Sequence, residues 1–558
     1  MNTAGLLIST FNSEISTSMV FVYPGGTIAP LANACEASGI NIEVFKSEQG
    51  AGFAAIGANV ATNKPSICLV TSGPGVTNIV TCIADAFYDS IPVIFLTGQV
   101  GTSDLARNPK LRQRGFQETP TTQICKPICK AVYSLKPNMS ILDVKSLVKL
   151  AIGTAVSNRK GPVVIDCPMD AQLSELNKEN ILHEDYLPKL DKNYSISDKK
   201  TTPNYSKIIE TIKKSKRPAI LLGGGVSKSS GFAVRNIISL YFKNIALIFS
   251  LRGLSVSSSD HPSHCGFIGH TGNILANNIL DNSDFLLCLG TRLDIRQTGS
   301  EFKSFSDNRK LVLVNNDYDE ISSVRVDVDE SFFLDCDIFI KELSIEIEKL
   351  VPKDLSNRIH WFSTIKDDFS GLEDPNLKNI KGINPAKAIS HVLSELHKTD
   401  KPSIFSTGVG SHQHWTMRNL KYDSERDILL TSSGHGTMGY DIPALIGAAL
   451  SCPEKIPMCI CGDGSFLMNG FEIIKAIESK INIKLLLIRN KSLGIVSTFQ
   501  NWKFGNRLMT SNFYSADLEK ILSGMGINWI KKCNNSENLY SISSEFLSND
   551  LPSAIIIE

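Results

Sequence analysis

Three α/β domains, each a doubly wound parallel sheet with helices on both faces, are predicted by two features of this 558-residue chain. Short apolar runs alternate with stretches of helical spacing from end to end. Two tracts rich in Lys, Asp, Asn and Ser, roughly 177–204 and 353–381, interrupt the alternation and read as solvated linkers. They set off units at 1–180, 200–352 and 380–558, each large enough to bury its own core.

In the first unit the strand-like runs are 19–22, 42–45, 67–71, 93–97 and 163–165. The second has 220–222, 245–249, 285–289 and 311–314, and the third 404–406, 458–461, 485–488 and 554–557. Strands buried on both faces of a parallel sheet carry such continuous apolar segments. A net charge of +1 without a long basic run argues against nucleic acid as the main partner. The 13 cysteines are scattered, with Cys68, Cys82, Cys288 and Cys461 inside apolar runs, which suits free thiols in a reducing cytoplasm. Cys125 and Cys129 are close in sequence, but no second Cys/His pair at zinc spacing accompanies them. Neither a secretory leader nor a run of about 18 apolar residues is present. The expectation is a soluble cytoplasmic protein with no membrane partner.

Asp463, in Gly462-Asp463-Gly464-Ser465, and Asn490 each follow a short apolar strand. The stretch 469–479 between those strands has helical spacing at Phe471, Ile474, Ala476 and Ile477. A right-handed crossover brings the carboxyl ends of the two strands together, where ligands of open α/β sheets bind. A carboxylate, an amide oxygen and the Ser492 carbonyl can then share one Mg2+ with phosphate oxygens and water. The flanking glycines let backbone approach the phosphate.

In the first unit, Glu48 follows the run 42–45 and opens a helix of small apolar residues, Ala51, Phe53, Ala54, Ala55, Ile56 and Ala58. Glutamate at a helix start also serves simply as a favourable charge on the dipole. Here the helix is apolar enough to be buried, and a buried carboxyl needs a partner or a raised pKa, which suits a proton relay.

The first unit also holds Tyr23-Pro24-Gly25-Gly26, Ser47-Glu48-Gln49-Gly50, the run from Val70 through Thr71 and Gly73-Pro74-Gly75 to Asn78, Asp85, Asp89-Ser90-Ile91-Pro92 and Phe116-Gln117-Glu118. The third holds Gly408-Val409-Gly410-Ser411-His412 and Gly436-Thr437-Met438-Gly439. Together these motifs resemble the acetolactate synthase large-subunit family of thiamine-diphosphate enzymes over nearly the whole chain. The resemblance implies that Glu48 meets the aminopyrimidine of thiamine diphosphate and promotes its deprotonation. Met438 would bend the cofactor so that its reacting groups meet, and Gly436 would offer a carbonyl to the exocyclic amine. Methionine is also a common core gap-filler. Thr71, Asn78, Gly410, Ser411, His412, Gly462, Asp463, Gly464, Ser465, Asn490, Ser492, Leu493 and Gly494 complete the implied cofactor contacts, with Asp463, Asn490 and Ser492 on Mg2+. Gly26, Phe116 and Gln117 would line the space where substrate reacts.

In the middle unit Gly223-Gly224-Gly225 follows a strand but lacks both the Gly-x-Gly-x-x-Gly spacing and the later acidic residue of a nicotinamide-dinucleotide fingerprint. Taken alone, such glycines mark turns. The resemblance assigns them to FAD, together with Arg159, Ser250, Leu251, Gly269, His270, Thr271, Gly290, Arg292, Asp294, Arg296, Asn315 and Asp337.

Some positions depart from the family pattern. Phe499 stands where a tryptophan that helps choose the acceptor is usual, His435 replaces a leucine, and Ile295 replaces an aspartate. The expectation drawn from the end at Glu558 is a site without the usual C-terminal cover. The implied reaction decarboxylates pyruvate and adds the two-carbon unit to a ketone. Arg296 favours pyruvate as that ketone, giving 2-acetolactate. Phe499 and the short C-terminus favour a nucleotide-linked ketosugar, as in branched sugars of the yersiniose type. A flavin-dependent pyruvate oxidase and a cofactor-binding regulatory relative are the remaining alternatives. A homodimer or homotetramer with sites between subunits is implied, and the sequence assigns no regulatory subunit.

Overall fold

The computed structural model describes all residues except 1, 17, 178–200, 355–359, 370–381, 506, 508 and 515. The described residues form three six-stranded sheets, and every strand pair in them is parallel. The N-terminal sheet contains β1 (Met19–Tyr23), β2 (Asn41–Val44), β3 (Ser66–Val70), β4 (Val93–Gln99), β5 (Ala131–Ser134) and β6 (Val163–Pro168), in the order β2-β1-β3-β4-β6-β5. The central sheet contains β7 (Pro218–Leu222), β8 (Ala246–Phe249), β9 (His264–Phe267), β10 (Phe285–Leu289), β11 (Lys310–Asn315) and β12 (Glu330–Phe333), in the order β12-β11-β10-β7-β8-β9. The C-terminal sheet contains β13 (Ser403–Thr407), β14 (Ile428–Leu430), β15 (Ile456–Gly462), β16 (Lys484–Ile488), β17 (Trp529–Cys533) and β18 (Ser553–Ile557), in the order β14-β13-β15-β16-β18-β17.

Two of these orders coincide. Counted within each sheet, the N- and C-terminal sheets both run 2-1-3-4-6-5, while the central sheet, read from β9, runs 3-2-1-4-5-6, the dinucleotide-binding order. Each sheet has a switch point where crossovers leave in opposite directions: β1/β3, β7/β10 and β13/β15. Ligands of such folds bind beyond the carboxyl ends of those strands.

Every residue of β3, β4, β6, β7, β8 and β10 is buried, as continuous apolar runs require. The strands that the apolar runs do not mark, β5, β9, β12, β14 and β17, all lie at sheet edges. There a strand packs against fewer neighbours and tolerates segments such as the half-exposed Trp529–Cys533. The tract at 353–381 is not wholly linker. Phe362 is buried in the central core and Trp361 Nε1 donates to the Pro218 carbonyl at 3.4 Å. Most of the tract at 177–204 and residues 370–381 lie outside the described residues. Between β15 and β16 the chain starts its helix earlier than the spacing suggests, as Asp463–Asn469, a 3-10 turn Gly470–Glu472 and Ile473–Glu478. The buried face is Ile473 and Ala476, whereas Ile474 is exposed.

The N- and C-terminal sheets share one hydrophobic core. Its centre is the crossing of helices Glu48–Thr62 and Asp441–Ser451, both almost wholly buried over much of their length. Glycines make the crossing close, since a Cβ on Gly57 would lie 1.9 Å from the Ala444 carbonyl oxygen and one on Gly447 2.0 Å from that of Ala54. All 13 cysteines are free, and all but Cys452 are buried. Among the described residues no helix is long and apolar enough to cross a membrane.

Backbone cannot step aside as a side chain tip can, so Gly57→Val is expected to destabilise by about 3 kcal/mol or more in denaturant unfolding, the upper end for overpacking. Gly153→Ala, at a helical glycine with nothing within 4 Å of its Cβ position, is expected to be neutral or to stabilise by up to ~1 kcal/mol.

Candidate active site

At the β13/β15 switch point four loops meet. Gly462 ends β15 opposite Ile488 of β16, so Asp463 and Asn490 emerge side by side. Asp463 is buried; its Oδ2 accepts the Lys491 amide at 2.9 Å and its Oδ1 the Gly464 amide at 3.0 Å. Asn490 Oδ1 accepts the Ser492 amide at 3.2 Å, and the left-handed backbone of Lys491 (φ 55°) turns the chain back across the site. Glycines keep the concavity open. A Cβ on Gly462 would lie 3.0 Å from His412 Nδ1, one on Gly494 2.7 Å from Ser411 Oγ, and one on Gly464 2.7 Å from Leu493 and 3.3 Å from Met438 Cε. Ser465 Oγ donates to Asp441 at 3.0 Å and accepts the Gly439 amide at 2.9 Å, which ties the Gly436–Gly439 turn to the Asp463 loop. Gly436 (φ 77°) faces open space.

These residues fit a diphosphate and a hard cation. His412 Nε2 is buried and has no hydrogen-bond partner among the described residues, and burial pushes the imidazole pKa down to about 4, so the ring is neutral and its unpaired nitrogen is a buried polar atom that a bound group would satisfy. Asp463 at a helix start offers carboxylate oxygen, the donor type that Mg2+ takes, and the glycine-rich backbone can approach phosphate closely.

At the β1/β3 switch point Glu48 is 8% exposed, and its Oε2 accepts from Asn78 Nδ2 at 3.0 Å. Buried Thr71 shares a 2.9 Å hydrogen bond with Thr27 and packs under Gly25, and the Cβ position of Gly26 is open to space. Gln117, in a left-handed conformation (φ 61°), lies over the Gly73 turn, whereas Phe116 is 85% exposed. Thr71 and Gln117 thus border the neighbouring loops at Gly25 and Gly73, and the Glu48 hydrogen bond is to Asn78 rather than to the Asp463 group.

The β7/β10 switch point opens on a cavity of about 600 Å³ between all three domains. Arg159, Gly224, Gly225, Ser250, Leu251, Thr271, Gly290, Arg292, Asp294, Arg296, Asn315 and Asp337 line it. Gly223, Gly269 and His270 do not. A Cβ on Gly223 would lie 2.1 Å from the Gly290 carbonyl oxygen, so that glycine serves loop packing, and Gly269 (φ 106°) supports the Arg296 backbone. Arg159 bonds Ser90 Oγ at 3.0 Å and pairs with Asp317 (2.9 Å) and Glu320 (2.7 Å) across the N-terminal and central domains. Arg296 donates to the Ser433 carbonyl at 3.1 Å and, among the described residues, has no ion-pair partner. Its volume and its arginines suit a dinucleotide cofactor of FAD size.

Sequence reading assigned no role to Asp85, Asp89 or Arg252. Asp89 accepts the Ser433 and Gly434 amides at 2.9 and 2.7 Å, and Asp85 accepts Ser432 Oγ at 2.9 Å, so the N-terminal domain holds the turn that leads to Gly436 and Met438. Asp89 also lies 3.7 Å from the Arg252 guanidinium. The signal for the two aspartates was in the motifs Ile83-Ala84-Asp85-Ala86 and Asp89-Ser90-Ile91-Pro92, and Arg252 had none. His435 stacks on Tyr88, ring centroids 5.4 Å apart. Phe499 is 53% exposed beside Trp502 and Phe504, on a helix (Gly494–Phe504) that buries only Gln500.

One switch point suited to a diphosphate, a carboxylate at the equivalent switch point of a like sheet and a dinucleotide-sized cavity are the arrangement expected of a thiamine-diphosphate enzyme, and sequence families agree. The thiamine pyrophosphate enzyme N-terminal TPP binding domain matches residues 1–124, the central domain 205–343 and the C-terminal TPP binding domain 408–557. The probable acetolactate synthase large subunit of Methanococcus aeolicus is 32% identical over 542 residues, 94% of this chain and 87% of that protein. Acetolactate synthase 1, chloroplastic, of Nicotiana tabacum is 33% identical over 487 residues (86% and 69%), and the isozyme 1 large subunit of Escherichia coli K12 is 31% identical over 532 (94% and 88%). The chain belongs to the acetolactate synthase family of thiamine-diphosphate-dependent carbon–carbon bond-forming enzymes.

Burial, and then the neighbouring Asp89 carboxylate, push the Asp85 pKa up to about 8. The folded protein then keeps a proton that the unfolded chain releases near pH 4, so this contribution is full below pH 4 and is lost as pH rises to about 8. Asp85→Asn, which removes this titration, is expected to raise the thermal midpoint relative to wild type by more at pH 8.5 than at pH 5, measured by calorimetric scans of both proteins across pH.

Proposed function

We propose that the chain is an acetolactate synthase-like carboligase that decarboxylates pyruvate and joins the two-carbon unit to a second pyruvate. The observation that carries this reading is the convergence of Asp463, Asn490, His412 and the Gly462–Ser465 loop at one switch point, with Glu48 at the equivalent switch point of a like sheet. The organising units are 1–180 for the pyrimidine, 200–352 for FAD and 380–558 for the diphosphate. Thiamine diphosphate, when bound, supplies the carbon nucleophile and the electron sink for loss of CO2.

The chain's own residues set that chemistry up. Asp463, Asn490 and the Ser492 carbonyl would hold Mg2+, and Gly410, Ser411, His412, Gly462, Gly464, Ser465, Leu493 and Gly494 the diphosphate. Gly436 and Met438 would hold the middle of the cofactor. Asn78 fixes one oxygen of Glu48, with Thr71 beside it, and leaves the other to hold or release a proton at the heterocycle. Gly26 leaves room for substrate, bordered by Gln117 and Phe116. Arg296, a partly buried cation without an ion partner among the described residues, would receive the acceptor carboxylate. FAD in the central cavity would meet Arg159, Gly224, Gly225, Ser250, Arg292 and Asp337, with a structural rather than a redox role.

The same reading makes the protein a homodimer or homotetramer in which Glu48 faces Asp463 of the partner subunit. Phe116, Phe499, Trp502 and Tyr514, all more than half exposed, are the apolar residues such an assembly would cover. Free buried cysteines support a cytoplasmic location. A second reading, transfer to a nucleotide-linked ketosugar, is favoured by Phe499, a smaller aromatic at the position where the family's tryptophan helps choose the acceptor.

Mass spectrometry of products tests the choice. Pyruvate with thiamine diphosphate and Mg2+, assayed with and without an added nucleotide-linked ketosugar and an artificial electron acceptor, is expected to yield 2-acetolactate without dye reduction; a branched sugar formed in preference when the ketosugar is supplied, or dye reduction in place of 2-acetolactate, contradicts the first reading. Glu48→Gln is expected to lower turnover at least a hundredfold with cofactor still bound, in the range of general acid/base groups, and unchanged turnover refutes its role.

A further inference from the structure

Glu472 belongs to the C-terminal domain, closes the turn Gly470–Glu472 and is 0% exposed. Its carboxylate is nevertheless directed at the N-terminal domain. Oε2 accepts the Lys46 amide at 3.0 Å and Oε1 accepts the Ser47 hydroxyl at 2.9 Å. Ser47 is the N-cap of the helix that Glu48 begins, and the same hydroxyl oxygen accepts the Gly50 amide at 2.9 Å. Ser47 thus relays the carboxylate to the first helical turn.

Gly50 makes the approach feasible: a Cβ there would lie 2.0 Å from Glu472 Oε1. No cation pairs with Glu472 among the described residues. The nearby lysines are engaged elsewhere, Lys46 with Glu478 at 2.5 Å and Lys475 with Glu43 at 2.8 Å. A buried carboxylate without an ion partner is costly unless hydrogen bonds and a helix dipole stabilise it, and the positive end of the Glu48 helix supplies both. A second tie lies beside the first, where Asn469 Nδ2 donates to Gln49 Oε1 at 3.0 Å. The residues on either side of Glu48 are therefore gripped by the C-terminal domain, while among the described residues the Glu48 carboxylate bonds Asn78 of its own domain.

We propose that Glu472 is a positioning residue for Glu48: its carboxylate clamps the Ser47 turn and so fixes the point from which the Glu48 side chain reaches the cofactor. The inference rests on the role proposed for Glu48. A carboxyl group that exchanges a proton with a bound heterocycle must be placed to a fraction of an ångström, and misplacement by about 1 Å can cost a hundredfold in rate.

The test compares full-length Glu472→Ala, Gly50→Ala and the double variant. Turnover, the KM for pyruvate and thiamine diphosphate affinity are measured on loaded enzyme, and amide hydrogen exchange on cofactor-free protein. Glu472→Ala is expected to lower kcat tenfold or more, to leave KM and cofactor affinity within about threefold, and to speed exchange at the Lys46 and Gly50 amides alone. Gly50→Ala, which displaces the carboxylate, is expected to do the same, and the double variant no worse than Glu472→Ala, because the added methyl occupies the vacated space. Wild-type kcat and exchange in Glu472→Ala overturn the proposal. So does loss of protection along the whole helix, the mark of a merely structural role. Glu48→Gln measured alongside separates the two claims: unchanged turnover there refutes the role of Glu48, whereas a large fall there with none in Glu472→Ala refutes the clamp only.

Discussion

The backbone-to-backbone crossing of helices Glu48–Thr62 and Asp441–Ser451 is the constraint on which the rest of the molecule depends. Gly57 and Gly447 allow it, and the two outer sheets close over it as one core. The helices matter as much for where they begin as for what they bury. One begins at Glu48, and the other begins two residues after Gly439, where the Gly436–Met438 turn ends. A single packing contact therefore fixes the starting points of two of the chain's chemically important segments. Widening it by the width of a side chain would shift both.

Around that crossing, buried acids are stabilised mainly by backbone amides and hydroxyls. Asp463 takes the amides of Gly464 and Lys491, Asp89 those of Ser433 and Gly434, and Glu472 that of Lys46 together with the Ser47 hydroxyl. Fixed amides hold a carboxylate's position without a long flexible cation, and they tie loops from different domains together. The arginines are placed elsewhere, with Arg159, Arg252, Arg292 and Arg296 lining the central cavity. Anion-binding capacity is thus concentrated where a large phosphorylated ligand fits, and cation-binding oxygen at Asp463 and Asn490. Neutral His412 stands in that second cluster with no hydrogen-bond partner at Nε2 among the described residues.

Much of this was legible in the sequence, and the gaps have physical causes. The interior strands announced themselves because both of their faces are buried, so an uninterrupted apolar run is the only composition that suits them. Edge strands β5, β9, β12, β14 and β17 did not, because a strand with a free side carries polar or short segments such as Ala131–Ser134 and Trp529–Cys533. The Asp463 and Glu48 clusters were legible because their chemistry demands glycine next to acid. The dinucleotide-type strand order of the central sheet was hidden, since Gly223 and Gly225 answer to the packing of the Gly290 loop rather than to a phosphate fingerprint. Glu472 was missed because a glutamate amid helical spacing looks like a solvated residue; its burial arises from a contact more than four hundred positions away.

The central claim is that Asp463 anchors a metal that tethers thiamine diphosphate to this chain. Calorimetric titration of the cofactor into wild-type protein and Asp463→Asn, each with Mg2+ and with a chelator, tests it most directly. The account predicts tight binding to the wild type only when Mg2+ is present, and binding weaker by about a hundredfold in Asp463→Asn, on the scale of lost metal-site contacts. Equal affinity in all four titrations would contradict it.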